Sequence, residues 1–280
     1  MRVAVTGATG FLGRHVVPAL VARGAQVTAA VRPGGAPRPW LAGLDTAAID
    51  IAFPSEDAFD RLGRPEAIVH LAWQGLPNYR SLHHFETELP IQYRFLKLLV
   101  ECGLSRLVVA GTCFEYGMQS GPLSETLPTA PNNPYGYAKD ALRRQLQYLK
   151  DTHPFALVWA RLFYMYGEGQ GANSLLPQLE RAIASGEAVF HMSGGEQLRD
   201  YLSVTAIAEC LARLAICDAD TGPLNVCSGT PKSVRAVVEE GIAKSGASIA
   251  LDLGHYPYPD YEPMAFWGDR SKLDDILEAL

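Results

Sequence analysis

Residues 6–13 read Thr6-Gly7-Ala8-Thr9-Gly10-Phe11-Leu12-Gly13. They follow a short apolar run, residues 2–6, and lead into residues 11–23, where apolar side chains recur at helical spacing until Gly24. A glycine turn between a strand and a helix presents unpaired helix N–H groups and the positive end of the helix dipole, which together attract the pyrophosphate of a dinucleotide. The first glycine permits the tight turn, the second lets the backbone approach phosphate, and the third lets the helix pack close to the strand. Three spaced glycines are a weak signal in a chain that has 26 of them. Their place between the first strand and the first helix makes the signal specific. Gly7, Thr9, Gly10, Phe11 and Leu12 are therefore expected at a dinucleotide, against the plainer reading of a turn with no ligand.

Continuous apolar runs at residues 26–31, 47–51, 67–72, 104–110 and 155–161 read as further strands, with helices expected at 89–102 and 134–152. Strands apolar on both faces belong in a parallel sheet covered by helices. The expected fold is α/β, a doubly wound parallel Rossmann sheet with a small discontinuous C-terminal substrate lobe. The rhythm loosens after Tyr164. A helix at 174–185, short strands near Val189 and Leu198, and a helix at 205–217 follow, and residues 224–227 are placed to return to the main sheet. This divides the chain into a dinucleotide-binding domain (1–165, with a return segment at about 198–228) and a substrate-binding lobe (166–197 and 229–280).

Composition removes other classes. The 280 residues are 48% hydrophobic with a net charge of -6, enough for a large core and too acidic, without any basic run, for general nucleic-acid binding. Five cysteines, odd in number and without C-x-x-C spacing, argue against a disulfide framework or structural zinc and fit a reducing, cytoplasmic compartment. No metal is expected. No run of about 18 uncharged apolar residues exists, so no membrane span is expected.

The Gly-x-x-Gly-x-x-Gly spacing of residues 7–13 resembles the short-chain dehydrogenase/reductase superfamily, especially its extended branch, which acts largely on nucleotide sugars. An acidic residue ending the second strand would hold the adenosine ribose of NAD. Here Ala30 and Val31 are followed by Arg32, a cation suited to a 2'-phosphate, so NADP is favoured over NAD, unless Arg32 is only a solvated strand end. Arg14 is a second cation within reach. The resemblance further implies Asp50 and Ile51 at the adenine and Leu71 and Ala72 beside the dinucleotide.

Two Tyr-x-x-x-Lys pairs occur, Tyr93 with Lys97 and Tyr135 with Lys139, each on one helix face. Tyr93 and Lys97 face away from the apolar stripe of their helix and read as surface. Tyr135 lies in the first turn of a helix announced by Pro131-Asn-Asn-Pro134, over the carboxyl ends of the strands where open α/β sheets bind ligands. A neighbouring ammonium would lower the phenol pKa toward neutrality and make Tyr135 a general acid. The segment Ala110-Gly-Thr-Cys-Phe-Glu-Tyr-Gly117 resembles the Ser-Ser-x-x-x-Tyr-Gly turn of the extended branch, which implies that Thr112 polarises the substrate carbonyl. Dehydratases of that branch carry Asp-Glu directly after the threonine. Cys113 and Phe114 stand there instead, which disfavours 4,6-dehydration. Cys113 is a proton donor or simply a buried apolar cysteine.

Arg161-Leu-Phe-Tyr-Met-Tyr-Gly167 resembles the Arg-x-x-Asn-x-Tyr-Gly segment, with Tyr164 at the asparagine position. Leu-Arg-Asp-Tyr201 with Val204 resembles Arg-Asp-Tyr-x-x-Val, implying that Arg199 clamps a diphosphate, unless it forms a structural salt bridge. Cys113, Phe114, Tyr164 and Arg199 are thus the expected substrate contacts. The expected activity is NADPH-dependent reduction of a keto group on a nucleotide-activated sugar, a 4-keto-6-deoxyhexose. The alternatives are a nucleotide-sugar 4-epimerase that recycles its cofactor and a non-catalytic dinucleotide sensor. Pairing of the helices at 89–102 and 134–152 across a homodimer follows from the resemblance alone.

Overall fold

Alternation of strand and helix carries the chain as far as Leu162 in the computed structural model, which describes residues 1–36 and 38–280. The elements are β1 (Arg2–Thr6), α1 (Gly13–Ala22), β2 (Gln26–Val31), β3 (Asp45–Ala48), α2 (Ala58–Arg61), β4 (Ala67–His70), α3 (Leu89–Glu101), β5 (Arg106–Thr112), β6 (Gly121–Leu123), α4 (Pro134–Lys150) and β7 (Ala156–Leu162). There follow β8 (Tyr164–Tyr166), α5 (Leu175–Ala184), β9 (Val189–His191), β10 (Leu198–Ser203), α6 (Val204–Ile216), β11 (Gly222–Val226), β12 (Pro231–Ser233), α7 (Val234–Ser245), β13 (Ala250–Asp252), β14 (Phe266–Gly268) and α8 (Ser271–Glu278).

Seven strands form one sheet in the order β11-β7-β5-β4-β1-β2-β3, and every pairing in it is parallel. The doubly wound parallel α/β sheet expected from the apolar runs is therefore the fold. Successive strand residues point to opposite faces, and the core divides accordingly. Val3, Val5, Val108, Val158 and Ala160 join Val16, Leu20, Ile207 and Leu211 of α1 and α6 on one face. Ala4, Leu107, Val109, Leu157 and Trp159 join Phe95, Leu99, Leu142 and Leu146 of α3 and α4 on the other. The chain adds β2 and β3 on one side of β1 and β4, β5 and β7 on the other, so a crevice opens at the carboxyl ends of the strands where that order reverses. The glycine turn sits there.

Some boundaries differ from the sequence expectation. α1 starts at Gly13 rather than at residue 11, because Gly7 to Leu12 form a turn closed by Gly10 N–H donating to the Gly7 carbonyl at 2.9 Å. β5 runs two residues further, to Thr112, because Gly111 and Thr112 pair with Arg161 and Leu162. A π turn, His84–Glu88, precedes α3. Beyond β7, α6 and β11 rejoin the main layers, whereas β10 lies in a separate small sheet with β8 and β12. β9 pairs with β13 and β6 with β14. No described helix is long and apolar enough to cross a membrane.

Candidate active site

The glycine turn is shaped by what cannot fit in it. Gly7 holds φ of +67°, and a Cβ there would lie 2.9 Å from the Ala72 nitrogen, so only glycine lets β1 and the end of β4 approach this closely. A Cβ on Gly13 would lie 2.2 Å from the Gly7 carbonyl oxygen. Gly10 is exposed at the apex, and no side chain caps the N-terminus of α1. The cradle is thus bare backbone opening onto a helix N-terminus, which fits a dinucleotide pyrophosphate. Thr9, Phe11 and Leu12 complete the turn, and Leu71 and Ala72 form its opposite wall. Trp40 fastens it from outside by donating Nε1–H to the Ala8 carbonyl at 2.9 Å.

Arg32 follows β2 directly, is exposed, and makes no ion pair among the described residues. Arg14 is engaged elsewhere: it pairs with Glu168 at 2.7 Å and its guanidinium lies 5.0 Å from the Trp40 ring centre. Asp50 is exposed just past β3, with Oδ1 accepting from Ala52 N–H at 3.0 Å, and Ile51 packs partly buried on the α3 side of the core.

β5 delivers Thr112 as its last residue, and α4 delivers Tyr135 and Lys139 in its first turns. Asn133 caps α4 by accepting from Gly136 N–H at 2.9 Å, with Pro134 at the first helical position, where its missing N–H costs nothing. The Tyr135 N–H donates to the Tyr79 carbonyl at 3.2 Å. Lys139 is buried, and its Nζ donates to the Ala110 carbonyl at 2.8 Å. The same Nζ stands 3.9 Å from the centre of the Trp73 indole ring and 5.9 Å from that of Tyr135.

The electrostatics depart from the expected phenol-lowering effect of Lys139. Burial pushes Tyr135 far above its ordinary value, reinforced by Tyr79, Cys113 and Glu115 and opposed by the Thr112 hydroxyl. Burial pulls Lys139 down to about 7, against the attraction of Glu115 and Glu88. A half-neutral amine 5.9 Å away cannot offset the loss of water around the phenol. Tyr135 is thus a fully protonated donor beside the Thr112 hydroxyl.

Glu115, whose role the sequence left open, is fully buried and organises the turn. Oε1 accepts from Thr112 N–H at 2.9 Å and from Trp159 Nε1–H at 2.8 Å, and Oε2 accepts from Arg161 Nε–H at 2.8 Å. Thr112 and Glu115 form a capping box, a Thr-x-x-Glu signal legible in the sequence. Tyr93 packs partly buried against the core, and Lys97 pairs with Glu101 at 3.6 Å, away from the crevice.

Several residues that frame the site were not singled out in the sequence, among them Trp73, Tyr79 and His84. Trp73, His84, Tyr79 and Phe114 all place their rings within 6.4 Å of the Tyr135 ring. A buried chain runs from Thr6 through His70 (2.9 Å), Gln92 (2.8 Å) and Glu88 (2.8 Å). Burial holds His70 neutral, with its pKa lowered to about 3. Trp73 and Tyr79 lie on loops, His84, Glu88 and Gln92 on the π turn and the inward face of α3, and His70 at the end of buried β4, where no motif marks them.

The expected substrate contacts fare differently. Cys113 is buried and its thiol is pushed well up by that burial, which suits the apolar reading rather than a proton donor. Phe114 packs on Tyr79 with ring centres 4.8 Å apart and planes inclined by 53°. Arg199 makes the salt bridge that the sequence left as the alternative to a diphosphate clamp: its side chain is 2% exposed and its Nη2 pairs with Glu262 at 2.8 Å. Glu262 also accepts from the Tyr164 hydroxyl. The Arg199 guanidinium covers the Phe266 ring at 4.7 Å, and its Nη1 donates to the Leu198 carbonyl. The salt bridge, not an open cation, is what this structure contains.

Comparison with known proteins agrees with this layout. A profile of the NAD dependent epimerase/dehydratase family matches residues 3–227. The chain is 33% identical over 272 residues to dTDP-6-deoxy-L-talose 4-dehydrogenase (NAD(+)) of Aggregatibacter actinomycetemcomitans, covering 96% of this chain and 100% of that one. It is 30% identical over 275 residues to dTDP-6-deoxy-L-talose 4-dehydrogenase (NAD(P)(+)) of Kitasatospora kifunensis, covering 92% and 83%. Among solved structures, MoeE5 in complex with UDP-glucuronic acid and NAD superposes with a TM-score of 0.84 at 29% identity, over 99% of this chain and 93% of that one. With the glycine cradle, the seven-stranded sheet and the sequence profile in agreement, the chain belongs to the NAD dependent epimerase/dehydratase family.

Proposed function

We propose that this protein reduces the keto group of a nucleotide-activated 4-keto-6-deoxyhexose with NADPH. The observation that carries the reading is the convergence of Thr112, Tyr135 and Lys139 at the carboxyl end of β5 with no acidic pair after the threonine: Cys113 and Phe114 occupy those positions and are buried. A nicotinamide dinucleotide held by the cradle of Gly7, Gly10 and the α1 N-terminus would supply the hydride. Tyr135, protonated and desolvated, gives its proton to the carbonyl oxygen as charge develops there. Thr112 donates a hydrogen bond to the same oxygen. Lys139, tethered to the Ala110 carbonyl, stabilises the phenolate that remains and would hold the ribose of a bound dinucleotide.

The relatives' names support the chemistry. A 4-dehydrogenase of a 6-deoxyhexose and a reductase of its 4-keto form catalyse one equilibrium in opposite directions, so the dTDP-6-deoxy-L-talose enzymes match a reductase read backwards. Exposed Arg32 favours the 2'-phosphate form of the dinucleotide. The small sheets after β7, together with the segment carrying Tyr261 and Glu262, form the substrate side of the crevice in this reading.

The test is to mix enzyme, NADPH or NADH and a panel of nucleotide-linked 4-keto-6-deoxyhexoses, and to follow both dinucleotide consumption and sugar product. Stoichiometric oxidation of NADPH with appearance of a 6-deoxyhexose is expected. Conversion of nucleotide sugars with no net dinucleotide change would identify the recycling epimerase instead. Tyr135→Phe is expected to lower turnover by about 10²–10⁴-fold while dinucleotide binding persists. An unchanged biological activity in that variant would favour a non-catalytic sensor.

A further inference from the structure

A second cluster of chemically capable side chains lies away from the crevice, on the β9–β13 pair. His191 ends β9 and Asp252 ends β13, and the parallel register sets them directly opposite each other. His255 follows three residues later and returns to the same place, because its backbone N–H donates to the Met192 carbonyl at 2.9 Å. Met192 N–H in turn donates to the Asp252 carbonyl at 3.1 Å, so both strand ends and the turn between them are locked by backbone. His191 Nδ1 lies 2.6 Å and His255 Nδ1 2.8 Å from the same oxygen, Asp252 Oδ2. The two imidazole ring centres lie 4.1 Å apart with their planes inclined by 35°. The ligand-capable atoms of all three residues lie within 4.8 Å of one another.

We propose that His191, Asp252 and His255 form a binding site for a divalent transition metal of the zinc, cobalt or nickel class. Two imidazole nitrogens and one carboxylate oxygen suit those ions and not magnesium or calcium, which prefer all-oxygen sites. Ligand bonds of roughly 2.1 Å in tetrahedral geometry separate neighbouring ligand atoms by roughly 3.4 Å. The present N–O spacings of 2.6 and 2.8 Å therefore need to open by roughly 0.6–0.8 Å. The three side chains are 42–48% exposed and free to make that adjustment, while the backbone that aims them is hydrogen-bonded. Each imidazole now donates its Nδ1–H to the carboxylate. On metal binding that proton moves through solvent to Nε2 and the Nδ1 lone pair goes to the ion, so a neutral ring stays neutral. The fourth position is left to water.

The cluster is the root of a segment that reaches the candidate active site. From His255 the chain runs through Tyr258, which donates to Glu196 at 3.1 Å, to Asp260, paired with Arg80, and to Glu262, paired with Arg199. A metal at its root would fasten that segment to the β9–β13 pair. The site takes no part in the reduction proposed above and stands or falls without it.

The test is calorimetric titration of the tag-free, chelator-stripped full chain with Zn²⁺, repeated with Co²⁺ while recording visible absorption. One equivalent per chain is expected, with a dissociation constant on the order of 1–100 μM. A tetrahedral cobalt band and a melting temperature raised by zinc and returned by EDTA should accompany it. His191→Ala and His255→Ala should each weaken binding by at least about tenfold. Both are expected to keep the far-ultraviolet dichroism and dinucleotide binding of the parent, which separates loss of a ligand from loss of the fold. No saturable binding below about 1 mM, or undiminished binding in the His191→Ala/His255→Ala double variant, would overturn the proposal and leave the cluster a hydrogen-bonded triad.

Discussion

The Lys139 amine stands 3.9 Å from the centre of the Trp73 ring while one of its protons is held by the Ala110 carbonyl. An indole face attracts a cation through its quadrupole and costs it no hydrogen-bond competitor. The carbonyl fixes the direction of the side chain toward Tyr135. These two contacts explain how a buried lysine is retained although burial pulls its pKa from 10.5 to about 7. The charge is costly there, and these two contacts offset part of that cost.

That depressed pKa makes a stability prediction. Between about pH 7 and 10.5 the unfolded chain holds a proton at Lys139 that the folded chain has released. Unfolding free energy contributed by this residue therefore rises with pH across that window, and the penalty is greatest below it. Lys139→Met removes the slope. Urea titrations at neutral and alkaline pH should show the parent gaining on the variant as pH rises. A difference that is constant between the two conditions would contradict a desolvated Lys139.

Gly7→Ala should impair dinucleotide binding before it impairs folding. The new methyl would have to hold φ of +67° and lie 2.9 Å from the Ala72 nitrogen. Backbone strain of about 1–2 kcal/mol and displacement of the cradle are expected. Fluorescence titration with NADPH should show at least a tenfold loss, on the scale of about 1.4 kcal/mol per decade.

Glu115→Gln should destabilise the fold strongly without touching any ligand. The carboxylate receives three donors, from Thr112, Trp159 and Arg161, and Arg161 is itself buried. Removing one member of such a pair leaves an uncompensated buried charge, worth about 3–5 kcal/mol. Chemical denaturation measures it directly. A change under about 1 kcal/mol would mean that Arg161 reaches solvent when its partner is lost.

Arg32→Ser tests the choice of dinucleotide. A charge-assisted hydrogen bond to the 2'-phosphate is worth about 1.5–3 kcal/mol, so KM for NADPH should rise by about 10–100-fold with KM for NADH little changed. Equal effects on both, or none on either, would assign Arg32 to solvent.

Features carried by neighbouring residues were legible in the chain. The strand–glycine–helix unit at residues 2–23, the continuous apolar strands and the Asn-Pro start of α4 each depend on local backbone preference and on burial, and both are written in a few consecutive positions. The four-residue spacing of Tyr135 and Lys139 is likewise fixed by the pitch of a helix. The capping box of Thr112 and Glu115 is of the same kind, although its two further partners, Trp159 and Arg161, are not.

What the tertiary structure alone decided is which distant groups share a pocket. Arg199 could be read as a phosphate clamp or half of a salt bridge, and only the return of Glu262 from the far end of the chain settles the pairing. Trp73 beneath Lys139, the aromatic ring around Tyr135, and His191 opposite Asp252 are likewise set by strand register and packing between segments remote in sequence. Even the sign of the effect on the Tyr135 phenol reversed: spacing places an ammonium nearby, but how much water is lost around both groups is a property of the packed molecule. Local sequence sets the conformation of each element and its apolar faces, whereas desolvation and partner choice are sums over everything that the fold brings within a few ångströms.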